Sequence, residues 1–359
     1  MIKVGIVGAT GIVGQQFVAA LNDHPWFKID RLLTSPRSAG KKYVDALRNT
    51  NTGVLDWFCD TPIPSSVGEI VTDDSSRFDP SSVDLIFSAL ESEQARNLEP
   101  VYAKHTPVVS TASAFRYEPD VPILVPAVNN EHAAAIDIQR KRRGWEGFVT
   151  PIPNCTTTGL VITLKPLHMD FGIEAVVMTS MQAVSGAGRS SGVLALDVTD
   201  NIIPYIPGEE EKVEKETCKI LGGFKDTFSP ASISVSCTCT RVGVREGHTE
   251  AVYVKTKKKC TVEDIKNSMR QFSKSLADSN LPSAPSELLL LHDDPSRPQP
   301  RLDRDTNGGM TTTVGRIRED RVLGGAKYVL VSHNTKMGAA KGAVLVAELL
   351  HRRGQIKSK

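Results

Sequence analysis

The chain opens with a strand, a glycine-rich turn and a helix, and that turn constrains the fold more than any other stretch. Residues 2 to 9 form a short apolar run with β-branched residues, residues 13 to 22 follow helical spacing, and residues 28 to 34 return to a strand. A β-α-β unit of this kind makes its two strands parallel. The turn reads Val7-Gly8-Ala9-Thr10-Gly11-Ile12-Val13-Gly14, with glycines spaced G-x-x-G-x-x-G rather than G-x-G-x-x-G. Glycine lets the backbone turn tightly and approach a pyrophosphate, and the helix N-terminus that follows favours negative charge. Close helix–strand packing alone is the other use of such a turn. Its place after a first strand and before a helix points to a dinucleotide.

The alternation continues. Residues 83 to 90 read as a buried strand, 91 to 104 as a helix, and Pro107–Ser110 and Ile123–Pro126 as further strands. Such a series argues for a doubly wound sheet. Beyond residue 155 the texture changes. Residues 176 to 184, 232 to 244 and 250 to 256 alternate apolar with small polar residues, as strands of a mostly antiparallel sheet with one covered face do. Residues 262 to 278 look helical, 281 to 309 carry five prolines and read as a long, partly irregular loop, 328 to 331 form a last strand, and 336 to 353 form a final helix with an apolar stripe.

An NAD site would place an acid at the end of the second strand to grip the ribose 2′-hydroxyl. That spot reads Thr34-Ser35-Pro36-Arg37-Ser38-Ala39-Gly40-Lys41-Lys42, without an acid. A guanidinium with hydroxyls and lysines suits a 2′-phosphate, so Ser35, Arg37 and Ser38 favour NADP. A solvated basic loop is the plainer reading of the same residues.

Totals exclude more than they assign. The 359 residues hold 43 basic and 41 acidic side chains, a formal charge of +2, which leaves no footprint for nucleic acid or a membrane surface. Six cysteines are too scattered for a disulfide framework, and none stands at zinc spacing, so the expectation is a reduced, cytoplasmic protein without a metal.

Cys155 stands apart from the other five cysteines. An apolar run, Gly147 to Ile152, leads into Pro153-Asn154-Cys155-Thr156-Thr157, and a helix-like run follows. A strand–helix corner puts the thiol at a helix N-terminus, where backbone N–H groups favour the thiolate. A nucleophile also needs a proton partner. His248 occupies a tight turn in Arg241-Val242-Gly243-Val244-Arg245-Glu246-Gly247-His248. Taken alone, an exposed turn histidine explains that stretch equally well.

Jointly these motifs resemble the aspartate-β-semialdehyde dehydrogenases of the fungal and archaeal branch. They are G-A-T-G-I-V-G at 8 to 14, P-N-C-T-T at 153 to 157, S-G-A-G at 185 to 188, G-E-E-E-K at 208 to 212 and R-V-G-V-R-E-G-H at 241 to 248, and the resemblance spans essentially the whole chain. It implies an α/β fold: a Rossmann-like NADP-binding domain from 1–154 plus 335–359, and a second α+β catalytic and dimerisation domain from 155–334, with the active site between them. It implies Cys155 as nucleophile, His248 as general acid/base and Gln182 as a positioning residue. Arg241 would grip the substrate carboxylate and Glu209 its ammonium group. Arg116 and Lys212 would hold the phosphate, and Asn154 would contact the substrate. Gly8, Thr10, Gly11, Ile12, Val13 and Ser88 would line the cofactor, with Ser185, Gly186 and Gly188 at its nicotinamide end, and Asn334 would also touch it.

The implied reaction is the reversible, NADP-dependent conversion of L-aspartyl-4-phosphate to L-aspartate 4-semialdehyde and inorganic phosphate through a cysteine thioester. It belongs to the route to lysine, methionine, threonine and isoleucine, and the implied assembly is a homodimer or homotetramer. N-acetyl-γ-glutamyl-phosphate reductase shares the cysteine–histidine plan, but its acetylated substrate gives Glu209 no ammonium to face. Glyceraldehyde-3-phosphate dehydrogenase is disfavoured by the missing acid after the second strand. A non-catalytic dinucleotide-binding protein is the remaining alternative, since fold alone does not imply catalysis.

Overall fold

In a computed structural model, residues 1–187 and 195–359 are described. They cluster into two compact units, Met1–Pro122 with Ala133–Ile152 and Ala339–Lys359, and Ile123–His132 with Pro153–Gly338.

The first unit is built on six strands: β1 (Ile2–Val7), β2 (Phe27–Thr34), β3 (Asp73–Asp74), β4 (Leu85–Ser88), β5 (Val108–Ser110) and β6 (Val149–Pro151), ordered β3-β2-β1-β4-β5-β6. Every pairing is parallel. Val4, Ile6, Leu85, Ile86, Phe87, Val108 and Val149 are fully buried, as strands covered on both faces require. The order reverses between β1 and β4, where α/β sheets open a ligand crevice. The glycine turn leads there, from β1 into helix α1 (Ile12–Leu21). Gly8 adopts φ +75°, and a Cβ on it would lie 2.6 Å from the Ala89 carbonyl oxygen. A Cβ on Gly14 would lie 2.2 Å from the Gly8 carbonyl oxygen, so α1 packs against its own turn only because residue 14 lacks a side chain. Gly11 caps α1 without a side chain, and the first turn holds no acid, which leaves its amides for an anion.

Helices α2 (Ser92–Ala103) and α3 (Ala135–Arg143) complete this unit with a C-terminal helix, Ala340–Arg352, that packs on α1. Its buried Glu348 meets buried His24 at 2.8 Å. That helix starts four residues later than its apolar stripe suggests.

The second unit carries a seven-stranded mixed sheet: β7 (Ile173–Gln182), β8 (Ile202–Ile203), β9 (Ser234–Val242), β10 (His248–Thr256), β11 (Leu289–His292), β12 (Thr312–Asp320) and β13 (Gly325–Ser332), ordered β11-β12-β13-β10-β7-β9-β8. Helices α4 (Cys155–Phe171), α5 (Glu209–Leu221) and α6 (Val262–Ser273) belong to the same unit, α4 against β10 and β13 and α5 against β9. Met178, Ser180, Gln182, Cys237, Cys239, His248, Glu250 and Val252 are buried, while Val177, Thr238, Ala251 and Tyr253 alternate with them and keep exposure. One face of the sheet is therefore open within the chain.

Two expectations need correction, and one strand was not expected. Ile123–Pro126 is buried but forms no strand: the Asn129 side chain accepts from Val125 N–H at 2.9 Å and donates to the Ile123 carbonyl at 2.7 Å, replacing a neighbouring strand. The stretch 281–309 contains β11 and a short helix, Pro300–Asp303, because the Asp303 carboxylate gathers His292, Arg297 and the Gln299 N–H. Strand β12, polar and charged, escapes a reading based on apolar alternation. Among the described residues, no helix is long and apolar enough to cross a membrane.

Gly14→Ala is expected to cost about 1–3 kcal/mol through overpacking and to weaken NADP binding. Urea denaturation and NADP titration of the variant measure both, and a stable variant with wild-type binding contradicts the role given to this close approach.

Candidate active site

Strand register assembles the site. Arg241 on β9 sits opposite Gln182 on β7, and His248 on β10 sits opposite Ser332 on β13. The antiparallel pairing of Thr249 with Met181 brings His248 level with Gln182. Arg241, Gln182 and His248 thus form one row at one end of the sheet, on its helix-covered face, all at least nine-tenths buried.

Helix α4 brings the thiol to that row. Cys155 is its first residue and Asn154 its N-cap; Asn154 Oδ1 accepts from Thr156 N–H at 2.8 Å and Thr157 N–H at 3.4 Å. The cap is itself held by α5. Asn154 Nδ2 donates to Glu209 Oε1 at 2.8 Å, and Asn154 N–H donates to Glu216 Oε2 at 2.6 Å. Glu209 Oε2 lies 3.6 Å from Lys212 Nζ. Sequence reasoning missed Glu216, although its spacing of seven from Glu209 marks one helical face.

Cys155 Sγ lies 3.1 Å from His248 Nε2. The other ring nitrogen, Nδ1, accepts the Ala183 N–H at 3.1 Å. A nitrogen that accepts carries no proton, so the network assigns the ring proton to Nε2, pointing at the sulfur. Charging the ring would place a second proton against the Ala183 N–H. Complete burial, with the positive charges of Arg241 and His333, pulls the His248 pKa down to about 3. The expected acid/base residue is therefore a neutral donor at Nε2. Arg241 donates through Nη1 to the Ala183 carbonyl at 2.9 Å and feels the charge of Cys155 and Glu209, while burial lowers its pKa. It is the cation nearest in kind to a thiolate's requirement.

The cofactor-end residues close over this row. A Cβ on Gly186 would lie 3.1 Å from Arg241 Nη1 and 3.2 Å from His248 Cε1. Asn334 Nδ2 donates to Ser185 Oγ at 2.8 Å, and Asn334 Oδ1 accepts from Gly247 N–H at 2.9 Å. Gly338 abuts Cys155: a Cβ there would lie 2.9 Å from Cys155 Cβ. Gly188 lies outside the described residues.

The remaining candidates lie in the first unit. Gly8, Thr10, Gly11, Ile12 and Val13 form the turn into α1. Ser35 and Arg37 are exposed beyond β2, in a turn closed by Ser38 N–H to the Ser35 carbonyl at 2.9 Å. Ser88 ends β4, fully buried, with its hydroxyl facing the Glu99 carboxylate. Arg116 is buried and donates through Nη2 to the Thr111 carbonyl at 2.9 Å.

Comparison with known proteins follows the same division. A family model described as semialdehyde dehydrogenase, NAD binding domain, matches residues 3–136, and one described as semialdehyde dehydrogenase, dimerisation domain, matches 164–337. The aspartate-semialdehyde dehydrogenase of Methanothermobacter thermautotrophicus is 44% identical over 98% of this chain and 99% of its own. That of Candida albicans is 42% identical over 97% of each. A crystal structure of aspartate semialdehyde dehydrogenase with NADP from Candida albicans matches with a TM-score of 0.88 at 40% identity, covering 99% of this chain and 100% of that one.

The depressed His248 pKa has a defined sign. The unfolded chain takes the proton first, so this residue's contribution is complete above its ordinary pKa of 6.5 and is lost as pH falls toward 3. Wild type is expected to lose more stability than His248→Gln over that interval in urea titrations; equal losses contradict a buried neutral ring.

Proposed function

The chain belongs to the aspartate-semialdehyde dehydrogenase family, and from that premise we propose that it interconverts L-aspartyl-4-phosphate and L-aspartate 4-semialdehyde with NADP, a step toward lysine, methionine, threonine and isoleucine. The observation that carries the proposal is the 3.1 Å contact between Cys155 Sγ and His248 Nε2 at the first turn of a capped helix.

The first unit's residues fit the cofactor. Gly8 and Gly14 let the turn pack tightly against Ala89 and against itself, the first amides of α1 are left for an anion, and Arg37 with Ser35 and Ser38 suits a 2′-phosphate. When bound, NADPH supplies the hydride that reduces the acyl group. All other steps fall to the chain. Arg241 binds the substrate carboxylate and Glu209 its ammonium group. Arg116 and Lys212 bind the phosphate. The Cys155 thiolate forms a bond to the acyl carbon, the carbon–oxygen bond to phosphate breaks, and a thioester remains. The His248 Nε2–H and the first amides of α4 donate to the oxygen that becomes negative at each tetrahedral stage. Because His248 keeps its proton, the thiolate depends on the helix N-terminus and Arg241 rather than on an imidazolium. Gln182, level with both, fixes the acyl group. The free cysteines fit a reducing cytoplasm.

We also assign the open face of the second unit's sheet to a second copy of the chain. A dimerisation-domain model covers these strands, and Val177 on that face is 41% exposed. Sedimentation equilibrium is expected to give a homodimer or homotetramer, and a monomer at micromolar concentration refutes the assignment.

Phosphate-dependent reduction of NADP tests the reaction with aspartate semialdehyde and N-acetylglutamate semialdehyde side by side. Turnover with the first alone is expected, falling by several orders of magnitude in Cys155→Ser. Turnover with the second alone overturns the role of Glu209. Near-full turnover by Cys155→Ser removes the thioester.

A further inference from the structure

One face of α2 carries polar side chains that the proposed reaction leaves unused. Ser92, Arg96 and Glu99 recur at i, i+4 and i+7 and so lie in one line. Each holds the stretch that runs from the end of β5 to Arg116. Ser92 Oγ meets Ser113 Oγ at 2.6 Å, Arg96 Nη2 donates to the Ala114 carbonyl at 2.7 Å, and Ser110 Oγ donates to Glu99 Oε1 at 2.5 Å. Ser110 Oγ in turn accepts the Ala112 N–H at 3.0 Å. The chain presenting Arg116 is therefore stapled to one helix along its length.

Glu99 is the unusual member. It is completely buried, and its second oxygen, Oε2, has no hydrogen-bond partner. The groups facing it are the hydroxyls of Ser88 from β4 and Ser110 from β5, and the charge of Arg116; Tyr102 of its own helix senses it in turn. Burial is the largest influence and pushes its pKa up to about 7, with the hydroxyls and Arg116 favouring the ionised form. An oxyanion that engages Arg116 withdraws part of that support and adds a negative charge nearby. Both effects drive the carboxyl toward its protonated form.

We infer that Glu99 is a positioning residue for Arg116 and takes up a proton when phosphate binds there. The inference rests on Arg116 as a phosphate ligand. No covalent bond changes: the proton comes from solvent and returns to it when phosphate leaves. Once neutral, Glu99 no longer adds a negative charge near Arg116 and its phosphate. Phosphate binding should then weaken as pH rises above neutrality, by up to about tenfold per pH unit.

The test is the phosphate KM of NADP-linked aspartate semialdehyde oxidation, from about pH 6 to about pH 9, in wild type, Glu99→Gln and Arg116→Gln. Phosphate's own ionisation cancels in the ratio of the wild-type KM to that of Glu99→Gln. Glutamine mimics the protonated carboxyl, so the ratio is expected near unity at the acid end and to climb above neutrality by up to about tenfold per pH unit. A flat ratio overturns the inference. If Arg116→Gln leaves the phosphate KM unchanged, the assignment of Arg116 falls and the inference with it. If that variant raises KM while the ratio stays flat, the inference alone falls. Should Glu99→Gln fail to fold, calorimetry of sulfate binding to the NADP-bound wild type, in buffers of different ionisation enthalpy near neutral pH, counts protons directly. Sulfate has no proton to titrate there, so fractional uptake is expected and zero uptake overturns the proposal.

Discussion

The side-chain amide of Asn154 is the constraint on which the second unit's chemistry depends. Its oxygen caps α4 and so sets Cys155 as the first helical residue; its nitrogen fixes Glu209. One planar group thereby ties Cys155 to Glu209 through hydrogen bonds and not through the packing of two helices alone. The backbone N–H of the same residue is held by Glu216 of α5.

Electrostatics in the same row follows from burial. A buried cation is costly unless paired, and two next to each other are worse. Arg241 retains its charge and His248 gives its own up. Two residues beyond His248 on the same face, Glu250 is completely buried, and burial drives its pKa well upward. Burial thus favours the uncharged forms of both His248 and Glu250 in the layer beneath α4.

Much of this was legible in the sequence, and the reason differs from residue to residue. The glycine turn and the Cys155 corner are local: the backbone that needs glycine and the helix end that favours a thiolate are made by neighbours in the chain. Gln182, Arg241 and His248 emerge only because strands with readable alternation align in register. Glu99 and Glu216 stayed hidden, since a helical glutamate reads as solvated until tertiary packing buries it. Ile123–Pro126 has a strand's composition, yet a single asparagine six residues on supplies the hydrogen bonds a strand would have found. Ala183 could not be singled out at all, because its contribution is a main-chain amide.

That last point has a consequence for how the site can change over generations. The group that selects the tautomer of His248 belongs to the backbone at position 183. No codon change at that position deletes it except one to proline, which lacks the N–H. The side chain there is thus free to drift within the space available, while the proton arrangement of the ring is shielded from ordinary mutation.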